Sequence, residues 1–135
     1  MDVDTPALLR LEVGRLRARE AGRRFETTVH VGRLDGPSWF CGVPAADPLV
    51  DAGTRAEVVT RLVERGGLDG SPACAWLHRT GEPLLEDEDL AWLAATTHVF
   101  DALGCRLDGF WSVTRTGWLD VRTQERRTWK RLRLR

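Results

Sequence analysis

Gly66-Gly67-Leu68-Asp69-Gly70-Ser71-Pro72-Ala73-Cys74-Ala75-Trp76-Leu77 holds a helix stop, a turn and a strand in one short stretch. Two glycines end whatever helix precedes them, and Asp-Gly is strong turn chemistry because Gly takes positive φ without steric cost. The apolar run of residues 73–77 then reads as a central strand buried on both faces. Upstream, Thr54 with Glu57 forms a capping box, and Val58, Val59, Leu62 and Val63 follow at helical spacing. Downstream, Glu86-Asp87-Glu88-Asp89 opens another helix, where four acids suit the positive end of the helix dipole. That helix is apolar on most sides and stops at Gly104. The central strand is therefore flanked by two helices, and right-handed crossovers place the strands they join in parallel.

The tripeptide Leu-Asp-Gly recurs at Leu34-Asp35-Gly36 and Leu107-Asp108-Gly109, and each copy is read as a strand entry. Nothing else repeats at those offsets, so the chain is not a repeat protein. Near the N-terminus, Thr5-Pro6 reads as a cap and first helical residue, with Leu9, Val13 and Leu16 at helical spacing until Ala21-Gly22. Phe25, Thr27, Val29 and Val31 alternate with Glu26, Thr28 and His30, the period of a strand with His30 outward. At the other end, a three-residue turn Arg115-Thr116-Gly117 with Gly117 left-handed would set Trp111 and Val113 on one face with Leu119 and Val121. The charged run from Arg127 to Arg135 suits an edge strand. The sum is one α+β domain spanning residues 1–135. Its order is helix, two strands, helix, strand, helix, three strands, in a mixed sheet of five or six strands with parallel central strands and a C-terminal antiparallel meander.

The 135 residues carry zero net charge, but the charge is sorted along the chain. Residues 1–34 hold seven Arg against five acids, residues 35–105 four against twelve, and residues 106–135 nine Lys or Arg against three. No apolar run is long enough for a membrane span, and the acidic start Met1-Asp2-Val3-Asp4 is unlike a signal peptide, so a cytoplasmic setting is expected. Cys41, Cys74 and Cys105 are odd in number and lack metal spacing, so they read as reduced, mostly buried thiols. His30, His78 and His98 stand at no metal-binding spacing, and neither a metal nor a cofactor is expected. Walker, dinucleotide and nucleophile-elbow motifs are missing.

Two places remain for chemistry. Beyond the carboxyl ends of the parallel strands, the loop with Asp47 and Asp51, the run from His78 to Glu82 and the turn at Arg115 should meet. There His78, Arg79, Glu82 and Arg115 are candidates for an anion pocket or a small enzyme's acid-base site. In the C-terminal meander, Trp118 and Trp129 lie among Arg126, Arg127, Lys130, Arg131, Arg133 and Arg135. The leading expectation is a binding or regulatory domain that contacts a protein partner, or a second copy of itself, through this meander, with Trp118, Arg127, Trp129, Lys130 and Arg131 as contact residues. Nucleic-acid binding by the basic strand ranks below it, because the molecule lacks a broad positive field.

Overall fold

The structure is a computed structural model that describes residues 4–43 and 51–130. Helix α1 (Thr5–Arg19) is capped one residue before the expected place: the Asp4 carboxylate accepts the Ala7 N–H at 3.2 Å, and Pro6 lies in the first turn. Helix α2 (Ala52–Gly66) likewise starts early. Asp51 caps it by accepting the Thr54 N–H at 2.8 Å. The Thr54–Glu57 capping box therefore does not form: with Asp51 as cap, Thr54 lies inside the first turn, where its own N–H is the orphan donor that the acid satisfies. Glu57 pairs instead with Arg61 at 2.8 Å. Gly67, at φ 61°, ends α2 as the double glycine implied. Helix α3 (Asp87–Ala102) opens on a reciprocal capping box between Glu86 and Asp89.

Six strands form one mixed sheet: β1 (Thr27–Gly32), β2 (Ser38–Val43), β3 (Pro72–His78), β4 (Arg106–Thr114), β5 (Gly117–Asp120) and β6 (Arg126–Thr128). Their order is β2-β1-β3-β4-β5-β6. Only β3 and β4, joined across α3, are adjacent and parallel; the other neighbours are antiparallel. The α2 crossover also joins strands of one direction, β2 and β3, but β1 lies antiparallel between them.

Helices cover both faces. Val59, Leu62 and Val63 of α2 and Trp92, Val99 and Phe100 of α3 pack on Val29, Val31, Ala75, Leu77, Phe110 and Leu119. On the opposite face Leu9, Val13 and Leu16 of α1 pack on Trp76, Trp111, Val113 and Trp118. A sheet covered on both faces corrects two expectations. His30 is not outward to water but buried on the α1 side, 6% exposed. The β4–β5 turn has two residues, Arg115 and Thr116, because Thr114 pairs with Gly117. Gly117 is not left-handed; it is needed because the Arg127 carbonyl oxygen lies 1.9 Å from where its Cβ would be. One residue of register exchanges every side chain between faces. Leu119 thus joins Phe110 while Trp118 joins Trp111 and Val113, and Trp118 is only 2% exposed.

The third Leu-Asp-Gly is not a strand entry. It lies inside β4, where Ala73 pairs with Leu107 and Cys74 with Gly109, so Asp108 is the extra residue of a β-bulge. Gly109 leaves room for the Trp111 indole, which a Cβ would meet at 2.3 Å. Among the described residues, no helix is long and apolar enough to cross a membrane.

Candidate functional site

His78 and Arg79 are consecutive, so they point to opposite faces of the sheet, and neither reaches the strand-end surface. Arg79, 4% exposed, forms a bidentate pair with Asp89, Nε to Oδ1 at 2.8 Å and Nη2 to Oδ2 at 2.9 Å. It also donates to the carbonyls of Thr80, Glu82 and Leu84 and so shapes the loop that follows β3. Asp89, fully buried, further accepts the Ser112 hydroxyl at 2.5 Å and the Glu86 N–H at 2.9 Å. Arg79 is thus an architectural residue.

His78 belongs to a second buried network, under α1. Glu12 Oε2 accepts from Trp76 Nε1 at 3.2 Å and from His78 Nε2 at 2.9 Å, and its Oε1 accepts from Arg15 at 2.5 Å. On the other side of the ring, Arg19 Nη2 lies 3.1 Å from His78 Nδ1 and donates to Thr28 Oγ1 at 3.3 Å; Thr28 in turn bonds His30 Nε2 at 2.8 Å. An arginine only donates, so Nδ1 must be the acceptor and the His78 proton must sit on Nε2, facing Glu12. Burial alone would raise the Glu12 carboxyl, but hydrogen bonds from His78 and Arg15 overcome it and hold the group at about 2. Burial pushes His30 down to about 3, helped by the neighbouring His78, and burial also lowers His78 against the pull of Glu12. Both histidines stay neutral near pH 7. With both its nitrogens engaged, His78 has no lone pair with which to take a proton from a substrate.

Glu12 was legible in outline, since it falls within the Leu9, Val13, Leu16 stripe, but a lone acid in an amphipathic pattern does not announce a buried partner.

Glu82 and Arg115 line one concavity without touching in an ion pair. The Thr116 hydroxyl donates to Glu82 Oε2 at 2.7 Å, which binds the β3–α3 loop to the β4–β5 turn. Arg115 Nη1 donates to the Glu20 carbonyl, and Arg17 Nε donates to the Arg115 carbonyl, so the end of α1 is tied to the same turn. Between these segments and the α1–β1 connection opens a concavity of about 680 Å³, lined by Arg23, Arg24, Thr80, Glu82, Arg115 and Thr116 among others. Arg23, Arg24 and Arg115 have no carboxylate partner among the described residues. Arg17 is lowered from the usual guanidinium value by partial burial and then by the charge of Arg115, which marks a region where cations crowd one another. Arg23 and Arg24 were not among the sequence candidates, because an Arg pair after a helix looks like any solvated loop.

The meander is laid out differently from its expected form. Trp118 is buried beneath α1, and Trp129 is partly buried against the same cluster, with the Arg10 guanidinium 6.0 Å from its ring centre. Neither indole is a free anchor. Arg126, Arg127 and Lys130 are exposed, with no carboxylate partner among the described residues. Arg131 lies outside the described residues, as does Asp47, while Asp51 is used as the α2 cap. Cys74 is a poor nucleophile, its thiol pushed up to about 11 by burial and by Asp108. Among the described residues, no group of three or more His, Cys, Asp or Glu is arranged to hold a metal ion. Comparison with protein-family models, with curated proteins and with solved structures gives no match, so the chemistry of the site is argued from its own residues.

Proposed function

We propose that this protein is a binding domain for anionic ligands, which it takes in the strand-end concavity through Arg23, Arg24 and Arg115. The observation that carries this reading is the convergence of three arginines, from two distant segments, on one concavity of a molecule whose net charge is zero. Guanidinium groups recognise carboxylate and phosphate by bidentate hydrogen bonds, and the Thr80 hydroxyl adds a neutral donor. Glu82 shapes the preference. Its carboxylate stands in the same concavity and favours a ligand that carries a hydrogen-bond donor beside its anionic group. Binding is favoured over catalysis because His78, the expected acid-base group, is saturated by Glu12 and Arg19. A cytoplasmic setting suits the three unpaired cysteines.

Calorimetric titration with inorganic phosphate and with citrate at low ionic strength tests the reading. Binding that weakens as salt rises and falls at least tenfold in Arg24→Ala/Arg115→Ala supports it; equal heats in wild type and variant refute it.

A further inference from the structure

We propose that the anion taken by the concavity belongs to an extended acidic segment of a protein partner, and that this segment continues from the concavity along the open edge of β6. The inference rests on the anion-site reading above and adds the identity of the partner.

The two places are contiguous. Thr116 lines the concavity, and its carbonyl accepts the Trp129 N–H at 2.7 Å, so the end of β6 abuts the same turn. The ladder then shows which backbone groups of β6 are spare. Trp129 donates to Thr116 and Asp120 to the Glu125 carbonyl, so residues 125, 127 and 129 direct their peptide groups inward to β5. By alternation, Arg126 and Thr128 direct theirs outward, where among the described residues no strand lies, because β6 ends the sheet there. An added strand therefore finds two residues' worth of ladder bonds already presented. From β4 to a strand beyond β6 is three interstrand spacings, roughly 14 Å, which about four extended residues span.

Charge selects the occupant. Arg126 and Arg127 project to opposite faces of β6, and Lys130 follows, so consecutive rather than alternating acids complement the edge. The backbone N–H groups of such a peptide also supply the donor that Glu82 favours. Single-stranded nucleic acid fits less well, since Trp118 is buried and Trp129 is packed under Arg10, which leaves no open indole on this flank for a base to stack upon. A second copy fits no better through its densest acids. Residues 87–89 lie in the first turn of α3 and cannot pair as a strand.

The test is fluorescence anisotropy with a labelled peptide of six consecutive glutamates, run beside labelled oligothymidylate of equal charge and beside the citrate titration. The expected result is that the peptide binds more tightly than the oligonucleotide. It should lose at least tenfold in Arg126→Glu/Arg127→Glu, whose citrate binding stays unchanged, and lose affinity again in Thr128→Pro, which removes an outward N–H. Citrate binding with a peptide indifferent to both β6 variants overturns the inference and leaves the concavity reading intact. Tighter binding of oligothymidylate overturns it in favour of nucleic acid. Failure of wild type to bind either citrate or peptide overturns both readings.

Discussion

Replacing Asp89 by Asn keeps the shape of the buried side chain and removes its charge, which isolates the electrostatic part of the Arg79–Asp89 pair. Both groups are almost wholly out of water, Asp89 at 0% and Arg79 at 4% exposure, so solvent does little to screen the loss. Removing one partner of a buried pair costs about 3–5 kcal/mol, and the low end applies here because the half-exposed Glu86 carboxylate still stands 3.4 Å from Arg79 Nη1. Against a total stability of about 5–15 kcal/mol, that is a fifth or more of what holds the domain together. The expected shift in Tm is on the order of 10–20 °C for a chain of this size. Urea unfolding followed by circular dichroism measures it; a loss under about 1 kcal/mol would contradict this, because it would mean that water or Glu86 replaces Asp89 at little cost. The double change Arg79→Met/Asp89→Leu separates architecture from function. It should recover only part of the lost stability: apolar residues of similar volume often replace a buried pair without penalty, but the buried Ser112 hydroxyl and the Glu86 N–H then lose their acceptor. Anion affinity should still fall, because Arg79 also anchors the carbonyls of Thr80 and Glu82 at the wall of the concavity.

Three further outcomes are expected. Acid should destabilise the fold well above the usual carboxylate range: His30, near 3 when folded against 6.5 unfolded, costs on the order of 1 kcal/mol per pH unit as pH falls through that window. His78 acts in the same direction, and the stability from Glu12, present above 4.5, is lost as pH falls towards 2. Urea midpoints at pH 7 and pH 5 check this, with a shallower dependence expected in His30→Gln; equal midpoints for the wild type would contradict it. Gly117→Ala places a methyl carbon against the Arg127 carbonyl and should detach β6 at a cost of about 1–3 kcal/mol. Amide exchange at Trp129, whose N–H bonds Thr116, should then accelerate while β3 amides stay protected; unchanged exchange at Trp129 would refute it. Cys74 should react with a thiol reagent at pH 8 far more slowly than the same thiol in the urea-unfolded chain, as its raised pKa requires, and equal rates would contradict that.

The architecture was readable wherever local chemistry and burial agree. The double glycine before Leu68, the acids opening α3 and the apolar run of β3 each admit one reading, and together they imposed the parallel pair at the centre. The β4–β5 register was not readable, because alternation identifies an exposed face only when one exists. Here Trp118 and Leu119 both find apolar cover, one under α1 and the other under α2 and α3. The same cover hid His30, whose polar identity suggested water where the fold supplies Thr28 and two flanking aromatic rings. At the candidate site, strand-end topology drew attention to Glu82 and Arg115, which do converge. Adjacency in sequence grouped His78 with Arg79, and the pleat separates them. Arg23 and Arg24 carry no local signal, since only the packing of α1 across β4 and β5 brings their loop to that place.

If Arg23, Arg24 and Arg115 make one anion site, an anion must perturb all three segments together. Two-dimensional ¹H–¹⁵N NMR during a titration with inorganic phosphate at low salt tests it most directly. Saturable shifts confined to residues 21–25, 80–82 and 115–116, absent in Arg24→Ala/Arg115→Ala, are the expected result. Shifts that never saturate, or that scatter over every exposed arginine of the surface, would contradict it.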